Sequence, residues 1–557
     1  MKTIKKIALI IFSILALLFL GFLALIYIPS LTFEPIAYKP IAPDYWPTEG
    51  FRISTPEKQG MDSAKLLEML NTYETLHAED PGFNIDSITI IRHGYIVADL
   101  YFNPLFPENT KHIIHSCTKS IMSALIGIAI EQGHIKDVDV PVIDFFADKE
   151  IPNMDPRMAE ITLRDLLSME TGWRSRDSFL YKHSGLFAAQ RTDDWVKYTL
   201  SLPVDVKPGV RFDYSNLSSF LLSAIIQETT DMDTLAFARK NLFDPLGIKD
   251  VQWEFSPQGI AIGYARMWLK PHDMAKFGML YLQKGRWNNR QLIPSEWVKE
   301  SLTPHAYPKN YHDMLDENGK KDAEMSQRNW IATKFIRPFN DGYGYQWWLE
   351  RDGTYTALGV GGQYIMVSPE ENLIVVFTSQ SKGMGVLKPA KLFHDNIRKA
   401  VVSDEEIPAT PAAQKKLMAM APPPALSLKT SEVPDLPNIA REISGKTYSL
   451  QANNWRYNNF RFHFKPGSDY ASFSYTAKES DVVSYKIGLD GQYRFTKTEI
   501  GSFAAKGSWT SPDTFEIFYQ LIGYSNPGKW SLTFNQEVIK VVEEGVTGVY
   551  EYSGRQQ

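Results

Sequence analysis

The stretch His115–Ile130, HSCTKSIMSALIGIAI, constrains this chain more than any other. Its apolar run reads as a helix, and Ser116 and Lys119 stand three residues apart at the head, a spacing that puts both side chains on one helical face. A hydroxyl and an amine then become neighbours. Serine at its free pKa is a poor nucleophile, and a lysine amine kept partly neutral by burial or a nearby cation can take its proton. The helix N-terminus supplies an amide donor where a developing oxyanion sits. The plainer reading is a serine that caps a buried helix beside a surface lysine, and a four-residue pattern alone does not separate the two.

Composition narrows the rest. With 557 residues, 44% hydrophobic and 13% aromatic, the chain is long enough for two folded domains or more. The net charge of -5 is spread without long runs of one sign, so no nucleic-acid or polyanion partner is indicated. Cys117 is the single cysteine, which excludes an internal disulfide and any cysteine-based zinc site, and the 11 histidines form no His-Glu-x-x-His pattern. No metal and no cofactor are expected.

Lys2, Lys5 and Lys6 precede an uncharged run from Ile7 to Ile28, long enough to cross a bilayer, with no Ala-x-Ala site after it. Residues 1–30 therefore read as a single-pass membrane anchor through 7–28, with the catalytic domain on the extracytoplasmic side, periplasmic or extracellular. A long cleaved secretory signal is the competing reading and leaves that location unchanged. Residues 31–54, with Pro35, Pro40, Pro43 and Pro47, read as an extended stalk lying against or leading to the fold.

From 55 to 402 the signals describe one domain. Asp62 or Ser63 caps a helix reaching about His77, and the runs Ile88–Arg92 and Tyr95–Phe102 form a hairpin around His93-Gly94. Thr162 caps a helix that begins ITLRDLL and ends near Gly172-Trp173. Tyr214-Ser215-Asn216 precede an apolar helix, Leu217–Ile226, and another helix covers Lys270–Leu282. Strand patterns return at Tyr343–Trp348, Tyr364–Val367 and Leu373–Phe377, and a final helix runs to about Val401. The sheet is thus built from both ends of the domain, with a helical region inserted between them.

Ser116-x-x-Lys119, Tyr214-x-Asn216 and a glycine strand at Gly359, in this order and with these separations, resemble the serine β-lactamase and penicillin-recognising hydrolases, nearest to class C enzymes, related esterases and 6-aminohexanoate-dimer hydrolase. ITLRDLL, PHDMAKFG, YGYQWW and GGQ support the likeness over about Thr55–Ala400. The resemblance implies an α/β (α+β) fold, an antiparallel sheet flanked by helices plus a helical region, with the site in the cleft between. It implies Ser116 as nucleophile, Lys119 as the amine that activates it, and Tyr214 as the group that passes a proton to the leaving group. Which of Lys119 and Tyr214 is the acylation base stays open. Asn216 binds a substrate amide, orients Lys119, or simply caps the helix that follows.

The third motif departs from the pattern. Where relatives carry Lys-Thr-Gly or His-Thr-Gly, this chain has Ala357-Leu358-Gly359. Gly359 still admits substrate to the backbone, and the Val360 amide, with Gly361 beside it, becomes the second oxyanion donor. Loss of the groups that hold a carboxylate favours a small ester or amide over a penicillin, unless an arginine such as Arg266 replaces the charge.

Other residues have plainer readings. Cys117 diverges from Ser116 by ~100 degrees on a helix and packs into the core. His112 and His115 read as structural histidines near the cleft, and Trp173 as a pocket wall or a core residue. Residues 403–440, rich in Pro and Ala, read as a linker, and the short alternating runs of 441–557 as a small antiparallel barrel or sandwich. Two functions follow: an anchored serine hydrolase acting on esters or amides through an acyl-enzyme, with penicillin-type peptidase or β-lactamase chemistry as its variant, or a non-catalytic sensor or scaffold. Protein partners are unknown from the sequence.

Overall fold

Runs rich in β-branched residues at two distant places in the chain meet in one sheet. The structure, a computed structural model, describes residue 33 and residues 36–557 except 81, 107, 175–184, 309–340, 383–386, 420–432, 454–456, 477–481, 499–500, 525–526, 536 and 546–547. The first helix, α1 (Ser63–Glu79), starts where the Asp62 side chain accepts from the Ala64 amide at 2.8 Å. Strands β1 (Ile85–Arg92) and β2 (Tyr95–Tyr101) follow as a hairpin. A two-residue strand, β3 (His112–Ile113), leads into α2 (Cys117–Glu131).

The helical region then supplies α3 (Leu163–Ser168), with a capping box between Thr162 and Asp165, and α4 (Asn216–Thr230). β4 (Gln252–Trp253) and β5 (Met267–Leu269) join β3 in a small sheet, and α5 (Pro271–Leu282) returns to the main one. The chain closes the domain with β6 (Gly342–Tyr343), β7 (Trp348–Leu349), β8 (Tyr355–Gly359), β9 (Gln363–Ser368) and β10 (Leu373–Ser379). The main sheet has seven strands in the order β2-β1-β10-β9-β8-β7-β6, all antiparallel, so β1 lies between its hairpin partner and a strand from the far end of the domain.

Alternation along these strands makes two cores. Ile365, Val367, Ile374 and Val376 face the helical region with α2, α4 and α5, while Met366, Val375 and Phe377 face α1 and the stretch Leu392–Ile397. Each such side chain, fully buried, contributes about 1.5–3 kcal/mol. The run Tyr343–Trp348, expected as one strand, is instead broken: Gln346 turns at φ 63, leaving two-residue strands on either side.

The stretch expected as a stalk lying against or leading to the fold lies against it, residues 38–48 on and beside α5 and residues 52–54 along Ile96 of β2. Lys276 Nζ donates to Thr48 O at 3.0 Å, Gln283 Nε2 to Ile41 O at 2.8 Å, and the Trp46 and Trp287 rings sit 5.2 Å apart. The 403–440 stretch is likewise more than a linker. It carries a helix, Pro411–Ala419, whose Leu417 is buried in the core beneath α1 and whose Gln414 donates to Glu57.

The C-terminal region resolves to a barrel, not a sandwich. Its strands are β11 (Thr447–Leu450), β12 (Asn459–His463), β13 (Tyr470–Thr476), β14 (Val482–Gly488), β15 (Arg494–Thr498), β16 (Gly501–Trp509), β17 (Thr514–Leu521), β18 (Pro527–Asn535), β19 (Val538–Gly545) and β20 (Gly548–Gln556). Neighbours pair in the order β14-β13-β12-β11-β20-β19-β18-β17-β16, and a bridge from Gly488 to Lys506 closes the ring, with β15 appended to β16. Phe460, Phe462, Phe473, Phe515, Trp530 and Phe534 fill its interior.

The single-pass membrane placement is corrected. No helix among the described residues is long and apolar enough to cross a membrane, and residues 7–28, on which that expectation rested, lie outside the described residues.

Candidate active site

The site grows from the first turn of α2. Ser116 occupies its N-cap, yet its side chain makes no capping hydrogen bond. Instead Lys119 Nζ donates to Ser116 Oγ at 3.1 Å, to Asn216 Oδ1 at 2.7 Å and to Tyr264 O at 3.1 Å. Lys119 is only 1% exposed, so the plain reading of a surface lysine fails. Of these three acceptors only the serine carries a proton of its own. When the amine is neutral, its two hydrogens stay with Asn216 and Tyr264, and its lone pair is left for the Ser116 hydroxyl.

Tyr214 completes the group. Lys119 Nζ lies 4.8 Å from the centre of its ring, which stacks on Trp348 at 5.8 Å and 18° and meets Tyr343 edge-on at 6.3 Å. Asn216 is the first residue of α4, not its cap; Ser215 holds that place by accepting from the Ser218 amide. The Asn216 side chain thus holds Lys119 through its Oδ1.

Strand β8 runs past this helix start. A Cβ on Gly359 would stand 2.4 Å from Ile114 O and 3.2 Å from the His115 Cβ, so only glycine lets the strand approach so closely. The contact brings Val360, 51% exposed, next in chain to a residue that touches the backbone leading into Ser116. Gly361 and Gly362 follow in left-handed conformation, at φ 83 and 89, and turn the chain into β9.

Similarity to known proteins gives the family. The family model described as Beta-lactamase matches residues 77–394, more than half of the chain. The chain belongs to the beta-lactamase family. Its relatives include the 6-aminohexanoate-dimer hydrolase of Paenarthrobacter ureafaciens, 19% identical over 52% of this chain and 71% of that protein, and the Protein flp of Staphylococcus aureus, 21% identical over 57% and 62%. The unguisins hydrolase ungD of Aspergillus violaceofuscus is 28% identical, but over only 29% of each chain. Among solved structures, EstCE1, described as a hydrolase with promiscuous acyltransferase activity, covers 61% of this chain and 99% of its own at TM-score 0.47 and 15% identity. The octameric penicillin-binding protein homologue of Pyrococcus abyssi covers 88% and 100% at TM-score 0.43 and 15% identity.

Within this beta-lactamase-family chain the remaining expected residues are placed as follows. Trp173 is fully buried in the core of the helical region, so the pocket-wall reading gives way to packing. Cys117 is buried, with its Sγ 3.4 Å from Ala357 O, and burial raises its thiol pKa far above the ordinary range. His112 is buried on Asp86, its Nε2 2.7 Å from the carboxylate. His115 sits at φ 46, and burial first, then the charges of Arg266, His112 and Lys119, push its imidazole down to about 3.

Sequence reading passed over Tyr264 and Gln346. Tyr264 acts through its carbonyl, which no side-chain motif reports. Gln346, inside the family-like YGYQWW, accepts from Ser219 Oγ at 2.6 Å and donates to Leu167 O at 2.9 Å, while its own carbonyl takes the Ser120 hydroxyl at 2.7 Å. It ties α2, α3 and α4 together behind the site. Far along β8 from Gly359, Glu350, Asp352 and His394 place ligand atoms within 4.8 Å of one another. The Arg398 guanidinium already bonds Asp352 and Glu371 there, so this cluster holds its own cation.

Proposed function

We propose that the chain is a serine hydrolase that cleaves an ester or amide bond through an acyl-enzyme on Ser116. The observation that carries this reading is the 3.1 Å contact between Lys119 Nζ and Ser116 Oγ, made by a buried lysine whose two other partners named above cannot give a proton. In this reading Lys119 takes the Ser116 proton as Oγ attacks the carbonyl carbon. The backbone N–H groups of Ser116 and Val360 receive the oxyanion, an assignment supported by the close approach of Gly359 to Ile114 and His115. Tyr214 passes a proton to the leaving group and regains one from the Lys119 ammonium; water then attacks the acyl-enzyme, giving a proton to the neutral Lys119, and the carboxylic acid leaves as Ser116 Oγ takes that proton back.

An ester or neutral amide suits the site better than a penicillin. Ala357 is buried in the core and Leu358 packs on the opposite face, so neither puts a polar group beside the nucleophile. The test is labelling with a fluorophosphonate probe followed by peptide mapping. The label is expected on Ser116 and absent from Ser116→Ala, a substitution that costs about 1 kcal/mol of stability at most because the side chain caps nothing. Labelling of the alanine variant would overturn the mechanism.

A further inference from the structure

The C-terminal barrel reaches the strands that carry the cleft. In the loop after β17, the Gly523 carbonyl accepts from the Ile113 amide, and a Cβ on Gly523 would stand 3.2 Å from Lys111 O and 3.3 Å from Trp268 Cδ1. Tyr524 is buried edge-on against Trp268, ring centres 4.8 Å apart, in a small cluster with Ile113 and Leu521. Its hydroxyl donates to Glu254 Oε1 at 3.4 Å, and the other oxygen of Glu254 receives Arg266 Nη1 at 3.4 Å. Burial, then the Glu254 charge, holds the Tyr524 phenol protonated well beyond its usual range.

Arg266 belongs to the stretch whose backbone holds Lys119 and Ile114. In the chain it lies between Tyr264, whose carbonyl accepts a hydrogen bond from Lys119 Nζ, and Met267, whose carbonyl accepts from the Ile114 amide. Its backbone is in the left-handed region at φ 59, and its charge acts on His115, the residue before Ser116. The Arg266 and Glu254 side chains are 45% and 35% exposed, and a pair so exposed holds weakly unless a third group fixes one member. Tyr524 is that group.

We propose that the barrel sets the charge preference of the cleft: Tyr524 positions Glu254 as counter-ion of Arg266 and so keeps an anionic substrate group from claiming that guanidinium. This rests on the reading of Ser116 as nucleophile. Tyr524 is a positioning residue, acting through Glu254 and not on the reacting atoms.

The test compares kcat/KM for nitrophenyl butyrate and for the mono-nitrophenyl ester of succinate, using the full chain. Tyr524→Phe keeps the ring on Trp268 and loses only the hydroxyl. Tyr524→Phe and Glu254→Gln are each expected to raise the anionic-to-neutral ratio by about threefold or more, through KM of the anionic ester, the scale of one hydrogen bond to a charged group. The double variant is expected to rise no further, because both changes remove one constraint. An unmoved ratio in Tyr524→Phe, or additive effects in the double variant, overturns this inference alone. Failure of the wild type to hydrolyse either ester, or hydrolysis that survives Ser116→Ala, overturns the Ser116 reading and this inference with it.

Discussion

Lys119 is the residue on which the others converge, and its partners fix what substitution does. Lys119→Ala removes the amine that contacts Ser116 Oγ and the hydrogen bond it gives to Asn216 Oδ1; Tyr214→Phe leaves the ring on Trp348 and removes the phenol. Each is expected to lower the rate of acylation by about 100-fold or more, the range of general acid-base help, read by stopped-flow with a nitrophenyl ester. Near-normal rates in both would place the proton path elsewhere. His115 gives a pH prediction. Its folded pKa of about 3 lies below the unfolded value near 6.5, so on acidification the unfolded chain binds the proton first. The stability it confers is complete above about pH 6.5 and is lost as pH falls toward 3. His115→Asn, which tolerates the φ of 46, is expected to flatten the fall of melting temperature between pH 6.5 and 4. The meeting of Ser116, Lys119 and Tyr214 was legible in side chains, the first two from their three-residue spacing and Tyr214 through the resemblance to the family. Tyr264 was not, because it contributes a backbone carbonyl, and a carbonyl is the same at every position.

At the scale of elements, the site depends on how closely β8 passes α2. Gly359→Ala would drive a methyl group against Ile114 O, with no flexible neighbour to yield. The strand must retreat by a fraction of an ångström or more, and misplacement of that order costs about 10- to 100-fold in rate. The expected outcome is a loss of kcat of that size with melting temperature lowered only slightly; a variant with full kcat would show that β8 does not border the reacting atoms. Helices were readable from caps, since Asp62 and Thr162 do what their positions foretold. The strand Tyr343–Trp348 was misread because its aromatic composition matches a strand while Gln346 adopts a left-handed turn. A buried glutamine satisfied from three helices overrode local propensity there.

Over the whole molecule, substrate preference follows from what β8 lacks. A hydrogen bond to a buried carboxylate is worth about 1.5–3 kcal/mol, or roughly 10- to 150-fold. With Ala357 and Leu358 at the two positions before Gly359 where relatives carry lysine or histidine and threonine, nitrophenyl butyrate is expected to be turned over with higher kcat/KM than a chromogenic cephalosporin, and the reverse order would overturn the assignment of substrate class. The alternating runs after residue 441 announced an all-β region, but closure of the ring rests on one bridge, Gly488 to Lys506, that no local pattern encodes. The Pro/Ala-rich stretch hid its docked helix because Leu417 has meaning only against α1. Finally, the pairing of β1 with β10, which sets Ile88 opposite Phe377, imposes a timetable on biogenesis. As the chain leaves the ribosome, one edge of β1 waits for a partner about 290 residues away, roughly 15–60 s at ~5–20 residues per second. Throughout that interval the nascent chain shows an edge of unpaired backbone N–H and C=O groups to the folding machinery. A translation product cut short before β10 has its nucleophile encoded and no sheet on which to mount it.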